Sequence, residues 1–218
     1  MAMRKEKVSA AVIRRLPRYY RTLDALHRDG TERISSSALG RHMGVTASQI
    51  RQDLSCFGEF GRQGYGYNVE DLRREISEIL GMNRSYCAVL VGAGNLGRAL
   101  MRNFPFEATG FTLSAAFDSN PDIAGRSFNG VPVLPCAEMA GYLHRNSVQV
   151  GVLCVPGSAA QPTAQALIAG GVKGLWNFTN TELDVGDSGV VVENVHFSDS
   201  LLTLSYYISE KHAVSEDD

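Results

Sequence analysis

The segment that most constrains the fold is VLVGAGNLGRAL, which runs from Val89 to Leu100. An apolar run typical of a buried strand leads into a Gly-x-Gly-x-x-Gly pattern, and a helical pattern follows the third glycine. Glycines at this spacing let the backbone turn sharply and approach a pyrophosphate, whose charge meets the free N–H groups at the helix start. The segment therefore predicts a Rossmann-like dinucleotide site. Its predicted cofactor-binding residues are Gly92, Ala93, Gly94, Asn95, Leu96 and Gly97.

A carboxylate at the end of the next predicted strand supports the same interpretation. The run FTLSAAFD is typical of a buried strand, and Asp118 ends it, 21 positions after Gly97. A carboxylate there accepts hydrogen bonds from the adenosine ribose and repels a 2′-phosphate, so the pattern favours NADH/NAD+ over their phosphorylated forms. Asp118 also precedes Asn120-Pro121, where an aspartate commonly begins a turn, and the two roles are compatible.

Further strands extend the predicted sheet. VQVGVLCVP leads into a helix, and VKGLWNF follows as another short strand. Strands and helices that alternate in this way predict an α/β, doubly wound parallel sheet, whose ligands lie at the carboxyl ends of the strands. The candidate pocket residues at those ends are Val155, Pro156, Asn177 and Phe178. Ordinary loop packing is the alternative for each of them.

The first eighty residues follow a different pattern, that of a helix-turn-helix. VIRRLPRYYRTLDALHRDG is helical, and Pro17 within it predicts a kink or a new helix start. A serine among residues 35–37 is expected to cap a short helix to about Met43, Gly44 permits a turn, and Thr46 caps a second helix. Early side chains of such a second helix face the DNA major groove, with a solvated polar face as the alternative. The candidates are Thr46, Ser48, Gln49, Arg51 and Gln52.

The glycine-rich stretch FGRQGYGYNV then predicts a tight β-hairpin. A hairpin after a helix-turn-helix is the wing of a winged helix, whose tip reaches phosphates or a minor groove. Candidate wing contacts are Arg62, Gln63 and Tyr65, with a plain turn as the alternative. Residues 1–84 carry 15 Lys and Arg against 10 Asp and Glu, whereas residues 85–218 carry 6 against 13. The positive front half supports DNA as its partner.

These patterns predict three parts of the chain. A winged-helix DNA-binding domain spans residues 1–84 and ends after a helix whose inward residues are Leu72, Ile76, Ile79 and Leu80. A Rossmann-like NAD(H)-binding domain spans residues 85–198, and a dimerisation helix with its tail spans residues 199–218. That last helix is expected to be amphipathic and to need a partner: the same domain, the front domain or a second subunit. Because helix-turn-helix proteins commonly bind palindromes as symmetric dimers, a second subunit is favoured.

Composition argues against several classes of protein. With 44% apolar and 20% charged residues, no apolar run of 18 residues and no secretory leader, the chain is expected in the cytoplasm and off the membrane. Its four cysteines form no CxxC pattern, so no metal site is predicted. An enzyme would need a substrate domain and a placed acid or base. Neither is recognisable, so no catalytic residue is assigned.

Five motifs spread along the chain act as a specific signature. They are RLPRYYR at 15–21, VTASQIRQDL at 45–54, GYGYNV at 64–69, the glycine loop at 92–97 and ENV at 193–195. Together they resemble the Rex family of redox-sensing transcriptional repressors over almost the whole chain. The resemblance implies a homodimer that exchanges its last helix between subunits. It also implies that the dimer binds a palindromic operator when NADH is scarce and releases it when NADH binds.

The resemblance also implies a sensing group, and the chain departs from it at two positions. Arg21 matches the family's arginine, which acts together with a tyrosine and an aspartate. Asn103 stands where the family has the tyrosine and His196 where it has the aspartate, while Phe197 matches an aromatic residue that packs near the nicotinamide. Since no carboxylate at 196 can pair with Arg21, we expect NAD(H) to bind with altered or weakened coupling to DNA release.

Three alternatives stay open. An NAD-dependent oxidoreductase would turn over NADH with a hydroxy acid, an aldehyde or a ketone. A CoA-binding or other nucleotide-binding module has a similar glycine loop, and competition between NADH and CoA would identify it. A winged-helix regulator whose nucleotide response is lost would fit the changes at positions 103 and 196.

Overall fold

The structure, a computed structural model, describes residues 8–58, 60 and 65–215. The chain divides into two compact units, Met1–Arg84 and Ser85–Asp218. Across the described ranges, we find no helix with the length and apolar character needed to cross a bilayer.

The first unit is a helical domain with one small sheet. Its elements are α1 (Ala10–Arg28), β1 (Arg33–Ile34), α2 (Ser36–Met43), α3 (Ala47–Ser55), β2 (Tyr67–Asn68) and α4 (Val69–Ile79). As predicted, side-chain oxygens of Ser35 and Thr46 cap α2 and α3, and Gly44 between these helices is left-handed (φ 62°). The four helices bury a common core that includes Tyr19, Leu39 and Ile50.

Three local expectations for this unit are wrong in part or stay predictions. Pro17 lies inside α1 and does not begin a new helix, whereas a kink at Pro17 stays a prediction. Pro17 is exposed, so the carbonyl that it leaves without a helical donor can bond to water. β2 pairs antiparallel with β1, Ile34 opposite Tyr67, and β1 precedes the helix-turn-helix. Residues 59 and 61–64 of the predicted hairpin lie outside the described residues, so the hairpin stays a prediction. Ile79, expected to face inward, is 37% exposed, whereas its neighbour Leu80 packs against the core as predicted.

The second unit is a seven-stranded sheet with helices on both faces. Its elements are β3 (Tyr86–Val91), α5 (Asn95–Asn103), β4 (Phe111–Asp118), β5 (Ser127–Phe128), β6 (Val131–Pro135), α6 (Met139–Arg145), β7 (Val150–Leu153), α7 (Gly157–Ala169), β8 (Gly174–Asn177), β9 (Val191–Asn194) and α8 (Phe197–Ser215). The strand order is β5-β6-β4-β3-β7-β8-β9, and every pair is parallel except β5 with β6. The predicted doubly wound parallel sheet is confirmed.

Successive side chains of the central strands point to opposite faces of this sheet and pack into two separate cores. Val89 packs in one core with Leu143 of α6 and Leu167 of α7, and Leu90 packs in the other with Met101 of α5. The chain reverses its direction of growth between β3 and β7, which makes their carboxyl ends the switch point where ligands of such sheets bind.

Helix α8 differs from its expected pattern. Every residue from 197 to 210 is exposed, so within the described chain α8 is not packed against any core. Its exposed large apolar side chains are Phe197, Leu201, Leu202, Leu204, Tyr206, Tyr207 and Ile208. They lie on all sides of the helix instead of forming one stripe, and such a helix is stable only when it is surrounded by other protein.

Candidate dinucleotide cradle and DNA-recognition helix

The three loop glycines have three different structural roles. Gly92 has φ 98°, and a Cβ on it would lie 2.6 Å from the carbonyl oxygen of Cys154. A Cβ on Gly97 would lie 2.0 Å from the carbonyl oxygen of Gly92, so only glycine lets α5 approach β3 this closely. A Cβ on Gly94 would meet no atom within 4 Å, which leaves open space beside the loop where a pyrophosphate could lie.

The start of α5 adds free donors to this loop. Gly94 is the N-cap and has no side chain to bond the first-turn N–H groups, which include those of Asn95 and Leu96. Arg98 lies across the loop, since its Nε donates to the carbonyl of Gly94 (3.2 Å) and its Nη2 to Oδ1 of Asn95 (2.7 Å). Arg98 was not among the predicted contacts, although a cation directly after the third glycine is a visible signal.

The carboxylate of Asp118 is held against the same loop. Its Oδ2 accepts the backbone N–H of Ala93 at 2.7 Å, and its Oδ1 accepts that of Asn120 at 2.8 Å. The turn role of Asp118 is therefore present, and each oxygen keeps a further lone pair for a ribose hydroxyl. An open cleft of about 710 Å³ continues past Asp118 along the end of β6, where its lining includes Pro121, Leu134 and Cys136.

The strand β7 brings two more predicted residues to the cradle. The carbonyl oxygen of Cys154, which follows β7, lies beside the position of a Gly92 Cβ, so Val155 and the N-cap Pro156 precede α7 beside the glycine loop. Burial raises the pKa of the Cys154 thiol to about 12, so this side chain is neutral at pH 7.

The side-chain amide of Asn177 is fully hydrogen-bonded within the protein. Its Nδ2 donates to the carbonyl of Thr181 and to Oδ1 of Asn194, both at 2.8 Å, and its Oδ1 accepts the N–H (3.1 Å) and the hydroxyl (2.7 Å) of Thr179. The residue is 1% exposed. Its amide therefore shapes the loop after β8 and keeps no free group for a ligand.

Phe178 and Phe197 meet at the edge of this loop. Their ring centroids are 6.1 Å apart, and Phe197 at the start of α8 is 57% exposed. Beside them, Nε2 of His196 lies 3.6 Å from Oε1 of Glu182, while Oε2 of Glu182 accepts from Asn194 (3.3 Å). A carboxylate is thus present near position 196, but residue 182 supplies it.

The remaining sensing candidates lie at the ends of their elements or on an open face. Asn103 ends α5, is exposed, and donates its side-chain amide to the carbonyl of Ala99 at 3.0 Å. Arg21 is exposed on α1. The two belong to different compact units.

The helix α3 presents most of the predicted DNA contacts to solvent. Ser48, Arg51 and Gln52 are exposed, and Arg51 donates to the hydroxyls of Ser36 (3.0 Å) and Ser48 (3.3 Å). Thr46 is exposed as well and caps the helix. Of the wing candidates, Tyr65 is 70% exposed, whereas Arg62 and Gln63 lie outside the described residues.

A buried carboxylate ties α3 to α1. Asp53 accepts Nε and Nη2 of Arg15, each at 2.7 Å, the hydroxyl of Tyr19 at 3.0 Å, and Nε2 of Gln49 at 2.7 Å. Burial alone would raise the pKa of Asp53, but the hydrogen bonds from Arg15, Gln49 and Tyr19 outweigh it and lower that pKa. This network was not predicted from the sequence, where its signal is a charged residue at an inward position of a helix.

Both parts of the chain match described families. Residues 7–55 match the family "Putative DNA-binding protein N-terminus", and residues 83–181 match the family "CoA binding domain". Among the residues the structure describes, no group of three His, Cys, Asp or Glu side chains could hold a metal ion.

Curated relatives match nearly the full length. The chain is 49% identical to the redox-sensing transcriptional repressor Rex of Thermoanaerobacter pseudethanolicus, over 95% of this chain and 92% of that protein. It is 50% identical to the protein of the same name from Clostridium beijerinckii, over 97% of this chain and 100% of that protein.

Solved structures match equally well. RSP, a Rex-family repressor, was solved with β-NADH, and that structure is 44% identical with a TM-score of 0.90 over 98% of this chain and 100% of that one. RSP with β-NAD+ and operator DNA is 47% identical, with a TM-score of 0.88 over 97% of each chain.

Proposed function

This chain belongs to the Rex family of redox-sensing transcriptional repressors, and we propose that it binds a palindromic operator and releases it when NADH occupies the glycine cradle. The observation that carries the proposal is the contact of Asp118 with the N–H of Ala93, in a loop whose second glycine borders open space. That arrangement suits a ribose and a pyrophosphate together. No catalytic residue is assigned, since the relatives are repressors and not enzymes.

NADH and NAD+ are the cofactors we assign. The relative RSP was solved with each of them, and its fold matches this chain with TM-scores of 0.88 and 0.90. The proposed contacts are Gly92, Ala93, Gly94, Asn95, Leu96, Gly97, Asp118, Val155, Pro156, Phe178 and Phe197, with Asn177 shaping the loop beneath them. The oxidised nicotinamide carries a positive charge that the reduced ring lacks, and an apolar Phe197 favours the neutral ring because burying an unpaired charge is costly.

The first unit is the proposed output domain. We assign operator contacts to α3 and the wing, where cationic and amide side chains suit phosphates and base edges. These residues are Thr46, Ser48, Gln49, Arg51, Gln52, Arg62, Gln63 and Tyr65. A chain that binds both genomic DNA and NADH or NAD+ would act in the cytoplasm, and we propose that location.

A homodimer is the proposed working state. Helix α8 carries apolar side chains on all sides and is exposed from residue 197 to residue 210, so a single chain leaves this stretch uncovered. The sheet also leaves an apolar cleft of about 330 Å³, whose lining includes Phe104, Phe111 and Trp176. A second copy would bury such surfaces symmetrically, and exchange of α8 between subunits would do so on both chains at once.

The coupling between cofactor and operator has a thermodynamic consequence. NADH can promote release only if it binds the DNA-incompetent arrangement of the dimer more tightly than the competent one, typically by about 1–3 kcal/mol. Linkage then requires operator DNA to weaken NADH binding by the same factor, roughly 5- to 150-fold.

A second candidate ligand is CoA, because residues 83–181 match a family described as a CoA binding domain. The two ligands share an adenosine and a pyrophosphate, so the loop alone accommodates both. CoA carries a 3′-phosphate beside the ribose hydroxyl that Asp118 would bind, and like charges there disfavour it. Displacement of NADH by CoA at equal concentration would contradict the NADH assignment.

The test is operator binding at fixed salt with NADH, with NAD+ and with neither. We expect binding without cofactor and weaker binding with NADH alone, and sedimentation of the free protein should give the mass of two chains. If NADH does not change operator binding, the chain is a DNA-binding regulator but not an NADH sensor. Sustained oxidation of NADH with a hydroxy acid, aldehyde or ketone would instead identify an oxidoreductase.

A further inference from the structure

The carboxylate of Asp53 is shared by two helices of the DNA-binding unit. Its side chain is 0% exposed, and it accepts hydrogen bonds from Arg15 and Tyr19 of α1 and from Gln49 of α3. Arg15 meets it with two parallel N–H groups, the strongest geometry for this pair. Arg15 and Tyr19 thereby fix the carboxylate itself, and its remaining bond is directed at the first turn of α3.

That bond also fixes the orientation of the Gln49 amide. An ionised carboxylate only accepts hydrogen bonds, so the group 2.7 Å from Oδ1 of Asp53 has to be Nε2 of Gln49. The Oε1 atom and the second N–H of Gln49 are then left without a partner among the described residues. A freely rotating glutamine would have to order its side chain on binding, whereas this one is already ordered in the free protein.

A carbonyl oxygen next to an N–H donor is the pair that complements adenine in the major groove. Adenine presents N6–H₂ as a donor and N7 as an acceptor, and a glutamine amide can bind both. Gln49 is half-buried in the first turn of α3, the part of a recognition helix that approaches base edges. We propose that Asp53 positions Gln49 to recognise an adenine in each operator half-site. This inference rests on the proposed function, because it presumes that α3 binds an operator.

Gln52 on the same helix is a matched comparison. It carries the same amide, it is exposed, and its side chain has no hydrogen-bond partner among the described residues. Asp71 is the comparison for Asp53, since it is an exposed acid paired with Arg74 on α4.

The experiment begins with the operator duplex that the wild-type chain selects from a random pool. Each base pair of the half-site is then replaced symmetrically, and Kd is measured at one salt concentration for every duplex and for a scrambled one. Gln49→Ala should reduce the preference for A·T at one position by about tenfold, the discrimination that one bidentate contact gives. Its affinity for the scrambled duplex should change by no more than about twofold, because phosphate contacts carry non-specific binding.

Asp53→Asn should reduce the preference at that same position, and the double variant Gln49→Ala/Asp53→Asn should reduce it no further. Asp71→Asn should leave the preference at that position unchanged. If Gln49→Ala keeps every preference, the inference is overturned. It is also overturned if Asp53→Asn weakens all duplexes equally, because a merely structural role predicts that result.

A second measurement does not depend on any variant folding. Hydrogen exchange of the Gln49 side-chain amide in the wild-type protein should be slower than that of Gln52, because the charged bond to Asp53 holds it. Equal exchange rates would overturn the positioning role. A wild-type chain that selects no operator would overturn the proposed function, whereas selection followed by an unaltered preference in Gln49→Ala overturns this inference alone.

Discussion

Burying the carboxylate of Asp53 costs free energy that its hydrogen-bond partners have to offset. Four donor contacts from three side chains do so, and Arg15 among them remains 30% exposed. Removing the charge leaves Arg15 without its ion pair and Tyr19 with a weaker acceptor. Because the loss is that of a partly buried pair, we expect Asp53→Asn to lower the free energy of unfolding by about 3 kcal/mol at pH 7.

The same residue predicts a pH dependence. The pKa of Asp53 is lower in the folded protein than its ordinary value, so the unfolded chain takes up its proton first as the pH falls. The stabilisation is therefore complete above about pH 5 and is lost progressively as the pH falls through the folded pKa. Urea unfolding of wild type and Asp53→Asn should show a constant difference from pH 7 to about pH 5 and a smaller one below pH 4. A difference that grows in acid would contradict this sign.

At the scale of the strand–loop–helix element, the second and third glycines of the cradle make a matched pair. Gly94→Ala places a methyl group in open space at an ordinary φ of −69°, so the fold should keep its stability while NADH affinity falls by about tenfold or more. Gly97→Ala would push α5 away from β3 and should destabilise the unit by about 1–3 kcal/mol. NADH titration and urea unfolding of both variants separate the two effects; equal loss of stability would be contrary to this assignment.

Sequence patterns predicted the elements that have a local cause. Ser35 and Thr46 cap their helices as expected, because capping depends on a hydroxyl within three residues of the N–H it bonds. The patterns did not single out β5, β6 or β9. β6 contains Pro132 and Pro135, which argue against a strand, and β9 gains its stability from pairing with β8, a contact that no local pattern contains.

The hydrogen-bond partners of side chains on different elements could not be predicted from the sequence either. Gln49 was predicted as a DNA contact from its place in α3. The hydrogen bond that orients it goes to Asp53, which is itself held by Tyr19 and Arg15, 34 and 38 positions earlier in the sequence. Asn177 was correctly predicted at the carboxyl end of a strand. All hydrogen-bonding groups of its side chain are used by Thr179, Thr181 and Asn194, and these bonds depend on how β8 and the following loop meet.

At the scale of the whole molecule, the proposed output and sensor lie on separate compact units with opposite charge. Coupling between them would depend on contacts that differ between the DNA-competent and the NADH-bound arrangements of the proposed dimer. Position 196 is one end of such a contact in the proposed sensing group. In this chain His196 faces Glu182 at 3.6 Å, so the local charge balance differs from that of an aspartate.

The last prediction follows from that difference. The double change His196→Asp, Asn103→Tyr introduces the aspartate and tyrosine of the proposed sensing group, so we expect NADH to reduce operator affinity more strongly than in wild type, by about tenfold within the usual range of coupling energies. NADH affinity in the absence of DNA should change less, because Gly92, Gly94 and Asp118 are untouched. The control is His144→Asp on the exposed part of α6. Operator titrations at several NADH concentrations measure the coupling directly, and an unchanged response in the double variant would mean that these two positions do not set it.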